Sequence, residues 1–466
     1  MDRVRGAPPG EHGGGRDRNA RDFNPGRMDG RAQTGALSSL PMKPSPSMKP
    51  NGEGNQVVII GAGVAGLCCA LRLQEKGIPC VILEASDAPG GRVRTDSVDG
   101  FLLDRGFQVL LTAYPEARRL LDYQALRLGT FSPGALVRVN NRLHRVSDPF
   151  RQPWTLPATL LAPIGSLADK LAIARLRHHV RQGTLEELWA RPETSALEAL
   201  RSFGFSERIV DSFFRPFFGG IFLETELATS SRMLEFVFRM FGEGRAALPA
   251  AGIGAIPDQL AGRLLPGTLR TGARVELIGE GRVVLRTAER VAAAAVVIAT
   301  EAPEAARLLP ELHPPGAHDT ACLYFAAARA PISRPILVLN GEGNGPVDNL
   351  CVPSVVAPSY APAGQALISA TVVGASGADE KSLEIEVRRH LTSWFGIAVA
   401  DWRHLRTYRI PLALPARKSL EPAALPVRRR PGLYLCGDHR ETPSLQGAMA
   451  SGRRAAEAVM EDWGDG

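Results

Sequence analysis

Apolar residues fall along this chain in two rhythms. Gln56-Val57-Val58-Ile59-Ile60 is a β-branched run with no polar alternation after Gln56, the pattern of a central parallel strand buried on both faces. Gly61-Ala62-Gly63-Val64-Ala65-Gly66 follows at once. LCCALRLQEKG then predicts a helix stopped by Gly77, and Cys80–Leu83 a second strand. Further strand-like runs end at Ala299-Thr300 and just before Gly437-Asp438, and RPILVLNGEGNGPVDNLCVPS and QALISATVVGAS read as sheet strands. A helix is predicted to begin near Gln446-Gly447-Ala448-Met449. Strand, glycine turn, helix and strand in this order define a doubly wound, Rossmann-like α/β domain.

Two segments break the pattern. Residues 1–54 are rich in Gly, Pro and Arg without apolar periodicity, and cannot bury enough surface to offset the entropy of ordering, so they are expected to be a disordered tail. The tail has no apolar h-region. Its arginines suit an organelle transit peptide, whereas Asp2, Glu11, Asp17, Asp22 and Asp29 do not, and targeting stays open. Between Phe203 and Phe241 lie ten of the seventeen phenylalanines, at helical spacing. Such clustering is first read as core, and its density, with Gly219-Gly220 in the middle, keeps a substrate tunnel as the second reading.

Composition then removes several functions. With 44% apolar and 22% charged residues the chain suits a soluble globular protein. No apolar run reaches the length of a membrane span. WTLPATLLAPIGSLADKLAIARLRHHV, with Arg175, Arg177 and Arg181 at its basic end, is read as an amphipathic helix, and leaves peripheral membrane contact open. The net charge of +7 is spread out, without an aromatic-interleaved basic patch, so nucleic acid is not an expected partner. The six cysteines form no C-x-x-C pair, which points to free thiols in a reducing, cytoplasmic setting and to no metal site.

The glycine turn carries the first chemistry. Gly61 permits the tight turn, Gly63 the approach of a diphosphate, and Gly66 the packing of helix on strand, while the first-turn residues Val64 and Ala65 begin a helix whose N-terminus attracts negative charge. Glu84, followed by Ala85, closes the second strand twenty-three residues after Gly61, where a carboxylate accepts both hydroxyls of an unphosphorylated ribose.

Downstream, PGGRVRTD contains Gly90, Gly91 and Arg92, and at this point the chain resembles the flavin amine oxidase superfamily, with its monoamine oxidases, protoporphyrinogen oxidases and plant-type phytoene desaturases. The resemblance runs from about Val57 to Glu461. It implies non-covalent FAD, with the Gly-Gly-Arg turn along the diphosphate. FLLDRGFQVL matches the family's Asp-x-Gly segment at Asp104 and Gly106. GARVELIGEGRVVLRTAERVAAAAVVIAT matches its return to the FAD domain, with Val275 against the adenine and a strand ending at Ala299-Thr300. CGDHRETPSLQGAM supplies Gly437 and Asp438, the latter for a ribityl hydroxyl, then Gln446, Gly447 and Ala448 at a helix start aimed at the flavin. Small residues at Gly447, Ala448, Ser451 and Gly452 would let the flavin ring sit tightly. The implied architecture is an FAD-binding domain from 55–112, 242–310 and 425–466, interleaved with an α+β substrate-binding domain from 113–241 and 311–424.

Departures from the family pattern choose among its branches. No cysteine lies between Asp401 and Leu435 to tether flavin, Ser444 stands where amine oxidases place a tyrosine, and TACLYFAAARAP lacks their lysine. FRPFFGGIFLE instead resembles a segment of the protoporphyrinogen oxidase and desaturase branches. The expected reaction is therefore dehydrogenation of a hydrophobic substrate, such as a carotenoid or porphyrinogen-like compound. The alternatives are amine oxidation, redox-neutral polyene isomerisation, and, without catalysis, binding of the GDP-dissociation-inhibitor kind. Tyr408, His439 and Gln108 are the candidate catalytic side chains, with Arg105 and Arg215 also near the expected flavin region. Nothing in the chain indicates an oligomeric state or an electron acceptor.

Overall fold

Val57 to Ile60 are all buried because the strand they form is sandwiched: Val57 and Ile59 pack on helices, Val58 and Ile60 on a small β-meander. This follows from the strand's period of two, which sends alternate side chains to opposite faces. The computed structural model describes residues 55–148, 151–152 and 162–464. The expected tail and most of the apolar opening of the 154–180 segment lie outside them.

Val57–Ile60 sits inside a six-stranded sheet ordered Leu269–Arg270, Cys80–Leu83, Val57–Ile60, Ala295–Ile298, Leu433–Leu435, Arg428–Arg430. The pairings are parallel until the last, which is antiparallel. Helices Val64–Gln74 and Leu445–Gly464 cover one face, and the meander Val275–Gly279, Arg282–Leu285, Arg290–Ala292 covers the other. The first helix ends at Gln74, three residues before Gly77, which takes a left-handed φ of 70° to turn the chain.

A seven-stranded sheet runs Arg403–Pro415, Ala317–Ala327, Ala366–Val373, Asn349–Cys351, Leu337–Leu339, Gly134–Val139, Arg142–Ser147. The helix Glu380–Phe395 packs on one face, and Arg215–Phe222 lies against strands Asn349–Cys351 and Ala366–Val373. All strands of the first sheet come from 55–112, 242–310 and 425–466, and all strands of the second from 113–241 and 311–424. A third sheet joins Leu110–Leu111 and Gly129–Thr130 to Ala246–Leu248, and so draws on both sets.

The phenylalanine-rich stretch forms helices Arg215–Phe222 and Ser231–Glu243, preceded by a π-turn at Val210–Phe214. Its rings divide. Phe205, Phe218, Phe222 and Phe236 are core, as first expected, whereas Phe213, Phe214, Phe217, Phe238 and Phe241 face a cavity. The basic segment forms the amphipathic helix Leu167–Val180, started by a Ser166–Asp169 capping box. Ala172, Leu176 and Val180 anchor it, while Leu167 and Leu171 are 67% and 65% exposed. Among the described residues no helix is long and apolar enough to cross a membrane, and no cluster suits a metal ion. All six cysteines are free thiols.

Candidate active site: a dinucleotide cleft beside an apolar cavity

The cleft is built where two glycine loops meet. Gly61, at φ 103°, ends the first strand so close to Ala299 that a Cβ there would lie 3.0 Å from its carbonyl oxygen. Gly66 is tighter still, since a Cβ would lie 2.1 Å from the Gly61 oxygen. Gly63 differs from both, because a Cβ on it would meet nothing within 4 Å. The Gly-Gly-Arg turn returns to this point: the Gly90 N–H donates to the Ala62 carbonyl at 2.9 Å, and Gly90 bridges Gly63. Gly91, at φ 58°, stands over the Gly63 Cα.

The helix that begins at Val64 has no side-chain cap, and the first-turn N–H groups of Val64, Ala65 and Gly66 have no intrahelical acceptor. An uncapped helix start beside a glycine with open space fits the diphosphate of FAD. Glu84 is held at the rim, accepting from the Ala62 N–H at 2.7 Å and from the Ser86 N–H and Oγ at 2.8 and 2.7 Å. Its carboxylate keeps lone pairs for a ribose, and Ala85 beside it is exposed.

Several expected partners are engaged within the protein itself. Arg92 Nη2 donates to both carboxylate oxygens of Asp438 at 2.7 Å, and Arg92 Nη1 donates to the Ala413 carbonyl at 2.8 Å. Asp438 is 5% exposed, so a guanidinium within reach offers it the strongest available compensation. The two positions that the resemblance assigns to the diphosphate and the ribityl chain thus lie in direct contact with each other. Asp104 is likewise a junction. It is buried, accepts from Thr95 Oγ1, the Ile253 N–H and Tyr360 OH at 2.6, 2.9 and 2.8 Å, and burial raises its carboxyl to about 6. Gly106 tucks beneath Ile410, whose Cδ1 would lie 2.5 Å from an added Cβ.

The remaining cofactor positions divide in the same way. The Val275 carbonyl accepts from Arg307 at 2.6 Å, which occupies one acceptor of the segment expected against adenine. The Ala299 N–H donates to the Ile60 carbonyl, and Thr300 follows at the cleft edge. Gln446 Oε1 accepts from the Glu116 N–H at 2.9 Å and so serves a neighbouring helix. Ser444 Oγ accepts from the Gly447 N–H at 3.0 Å, and its carbonyl accepts from the Ala448 N–H at 2.9 Å, which starts the last helix. The smallness at three of the four positions there has internal causes. A Cβ on Gly447 would lie 2.0 Å from the Thr442 oxygen, one on Gly452 would lie 2.1 Å from the Ala65 oxygen, and Ser451 Oγ accepts from the Gly437 N–H at 2.9 Å.

The catalytic candidates do not converge. Tyr408 donates to Asp96 at 2.7 Å, beside Arg105 and Arg406, and burial with the Asp96 hydrogen bond pushes its hydroxyl up to about 12. Gln108 donates to the carbonyls of Arg92 and Arg105 at 3.0 and 3.2 Å. Arg215 pairs with Asp211. His439 is buried beside Gly437, neither ring nitrogen has a partner among the described residues, and burial pushes its imidazole down to about 4. Glu301, near Arg92 at 3.8 Å, is a cleft residue that the sequence reading did not single out.

Next to the cleft lies an apolar cavity of about 580 Å³. Phe107, next to Gly106 in the chain, and Val109 form part of its wall. Phe213, Phe217, Phe238 and Phe241 form another part, and Leu167 and Leu171 stand at its edge.

A dinucleotide cleft and an apolar chamber, on interleaved sheets, place the chain in the class of two-part flavoprotein oxidoreductases. The chain belongs to the flavin containing amine oxidoreductase family, which matches residues 64–460, and its cofactor is accordingly FAD. A hydroxysqualene dehydroxylase of Rhodopseudomonas palustris is 26% identical over 442 residues, covering 87% of this chain and 98% of that protein. A zeta-carotene-forming phytoene desaturase of Myxococcus xanthus is 36% identical over 86 residues, and that match takes in only 17% of each chain. The cyclohexylamine oxidase structure from Brevibacterium oxydans shares the fold, with a TM-score of 0.66 at 16% identity over 88% of this chain and 99% of that one.

Proposed function

We propose that this protein is an FAD-dependent dehydrogenase or desaturase that oxidises a large hydrophobic substrate, of the carotenoid or porphyrinogen-like kind. The observation that carries the reading is the apolar cavity of about 580 Å³, whose wall residues Phe107 and Val109 flank Gln108, which donates to the Arg92 carbonyl of the Gly-Gly-Arg turn. A volume of this size suits a drug-sized or larger apolar molecule. Bound FAD supplies the two-electron oxidant. The chain's part is to exclude water and hold the substrate, with Phe213, Phe217, Phe238 and Phe241 presenting ring faces and edges to it. Its similarity to a phytoene desaturase and a hydroxysqualene dehydroxylase favours apolar substrates over amines.

FAD is held without a covalent bond in this reading, through Gly63, Val64, Ala65, Glu84 and the Gly90–Gly91 turn. Leu167 and Leu171, one helical turn apart at the cavity edge, form the contact through which the substrate enters from a lipid surface. His439, buried beside the Gly437 turn and without a hydrogen-bond partner among the described residues, is the first candidate for a proton acceptor. Mass spectrometry of the product tests the reaction: loss of two hydrogens supports dehydrogenation, and a product of unchanged mass would assign isomerisation instead.

A further inference from the structure

One polar side chain in the wall of the cavity has no visible purpose within the protein. Asn349 is 3% exposed, lines the cavity, and its Oδ1 has no hydrogen-bond partner among the described residues. Thr371, directly across the strand pair from it, also holds its Oγ1 buried and without a partner among the described residues. Buried polar atoms are nearly always satisfied, because leaving one bare forfeits the hydrogen bond it would make in water.

Several other polar groups of the wall have partners within the protein. Arg151 donates to the carbonyls of Phe241 and Gly244, and Arg177 pairs with Asp148. Ser147 Oγ accepts from Arg145. On the neighbouring strand, Ser369 Oγ meets Cys322 Sγ. Asn349 is the deep exception. The fold also makes room for it, because the helix Arg215–Phe222 carries Gly220 opposite, where a Cβ would stand 2.6 Å from the Asn349 Nδ2. A larger residue on that helix would push into the carboxamide.

Resting on the cavity reading above, we infer that Asn349 is a specificity-determining residue, whose carboxamide exchanges a hydrogen bond with a hydroxyl on the substrate. The substrate class is thereby a long hydrocarbon bearing a hydroxyl group, and not a bare hydrocarbon. An apolar wall with one unpaired carboxamide discriminates sharply, since an analogue lacking the hydroxyl leaves Asn349 as bare as before. A hydroxyl is both donor and acceptor, so it pairs with Nδ2, or with Oδ1 if the amide is turned.

The test uses the FAD-loaded full chain and two probes of matched carbon skeleton, farnesol and farnesene, with affinities measured by equilibrium dialysis. The alcohol is expected to bind at least about tenfold more tightly than the hydrocarbon. Asn349→Leu is expected to abolish that preference while hydrocarbon binding holds or tightens, an outcome that a merely structural asparagine would not give. Gly220→Ala, which intrudes on the carboxamide without removing it, is expected to weaken the preference in the same direction, and serves if the leucine variant fails to fold. Equal binding of both probes by the unmodified protein, or a preference that survives both substitutions, overturns the inference while leaving the apolar cavity reading intact. Failure of both probes to bind at all overturns the cavity reading and this inference with it.

Discussion

Arg92 Nη2 donates to both carboxylate oxygens of Asp438 although 346 residues separate the two in the chain. The pair ties the Gly-Gly-Arg turn to the end of the last strand, the two elements on which the flavin assignment rested. Removing one partner strands the other in a poorly solvated place. Asp438 is nearly buried but Arg92 is partly open to solvent, so the cost falls below that of a fully buried pair. Asp438→Ala is expected to lose about 1–3 kcal/mol in chemical denaturation and to purify with less flavin. An unchanged midpoint and full flavin content would show that the pair has no structural role.

The two outer glycines of the first loop are structural and the middle one is not. Gly66→Ala forces a Cβ to within 2.1 Å of a backbone oxygen and is expected to cost roughly 1–3 kcal/mol. Gly63→Ala meets open space, so its melting temperature without cofactor should match the parent. Its FAD affinity, followed by flavin fluorescence, should fall at least about tenfold if the diphosphate passes there.

Two buried groups act on acid stability in opposite directions. Asp104 has a folded pKa raised to about 6, so its contribution is fully present below the ordinary carboxyl value and is lost as pH rises through about 6. His439 has a folded pKa lowered to about 4, so its contribution is fully present above the ordinary imidazole value and is lost as pH falls through about 4. His439→Leu should flatten the decline between pH 6.5 and 4 by roughly 3 kcal/mol. Denaturation across that range checks the sign. The same variant, assayed at pH 7 with its fold intact, reports whether the imidazole takes part in turnover.

Leu167 and Leu171 stand at the cavity edge on an exposed helical face. Replacing both with Glu should leave thermal stability within about 0.5 kcal/mol and reduce co-sedimentation with anionic lipid vesicles several-fold. Undiminished vesicle binding would remove the proposed entry route.

The fold was legible in the sequence wherever local pattern and tertiary need coincide. Val57–Ile60 is buried on both faces and reads so, and the glycine spacing of the first loop follows from backbone approach alone. The cleft's side-chain contacts were less legible. Asp104 and Gln446 occupy motif positions yet serve neighbouring elements, because a motif records where a residue sits and not which partner is closest after folding. The phenylalanines carried a mixed signal, since core and cavity wall demand the same residue type and differ only in which face of a helix they occupy. Asn349 gave no signal at all. Within PVDNLC it is an ordinary strand residue, and only the sheet shows that it points into an apolar chamber.

The central claim is most directly tested by mixing the FAD-loaded protein anaerobically with candidate substrates and recording the flavin absorbance. The account predicts bleaching by a long apolar polyene or by a porphyrinogen, and none by primary amines. Bleaching by amines, with no response to any apolar substrate, would contradict it.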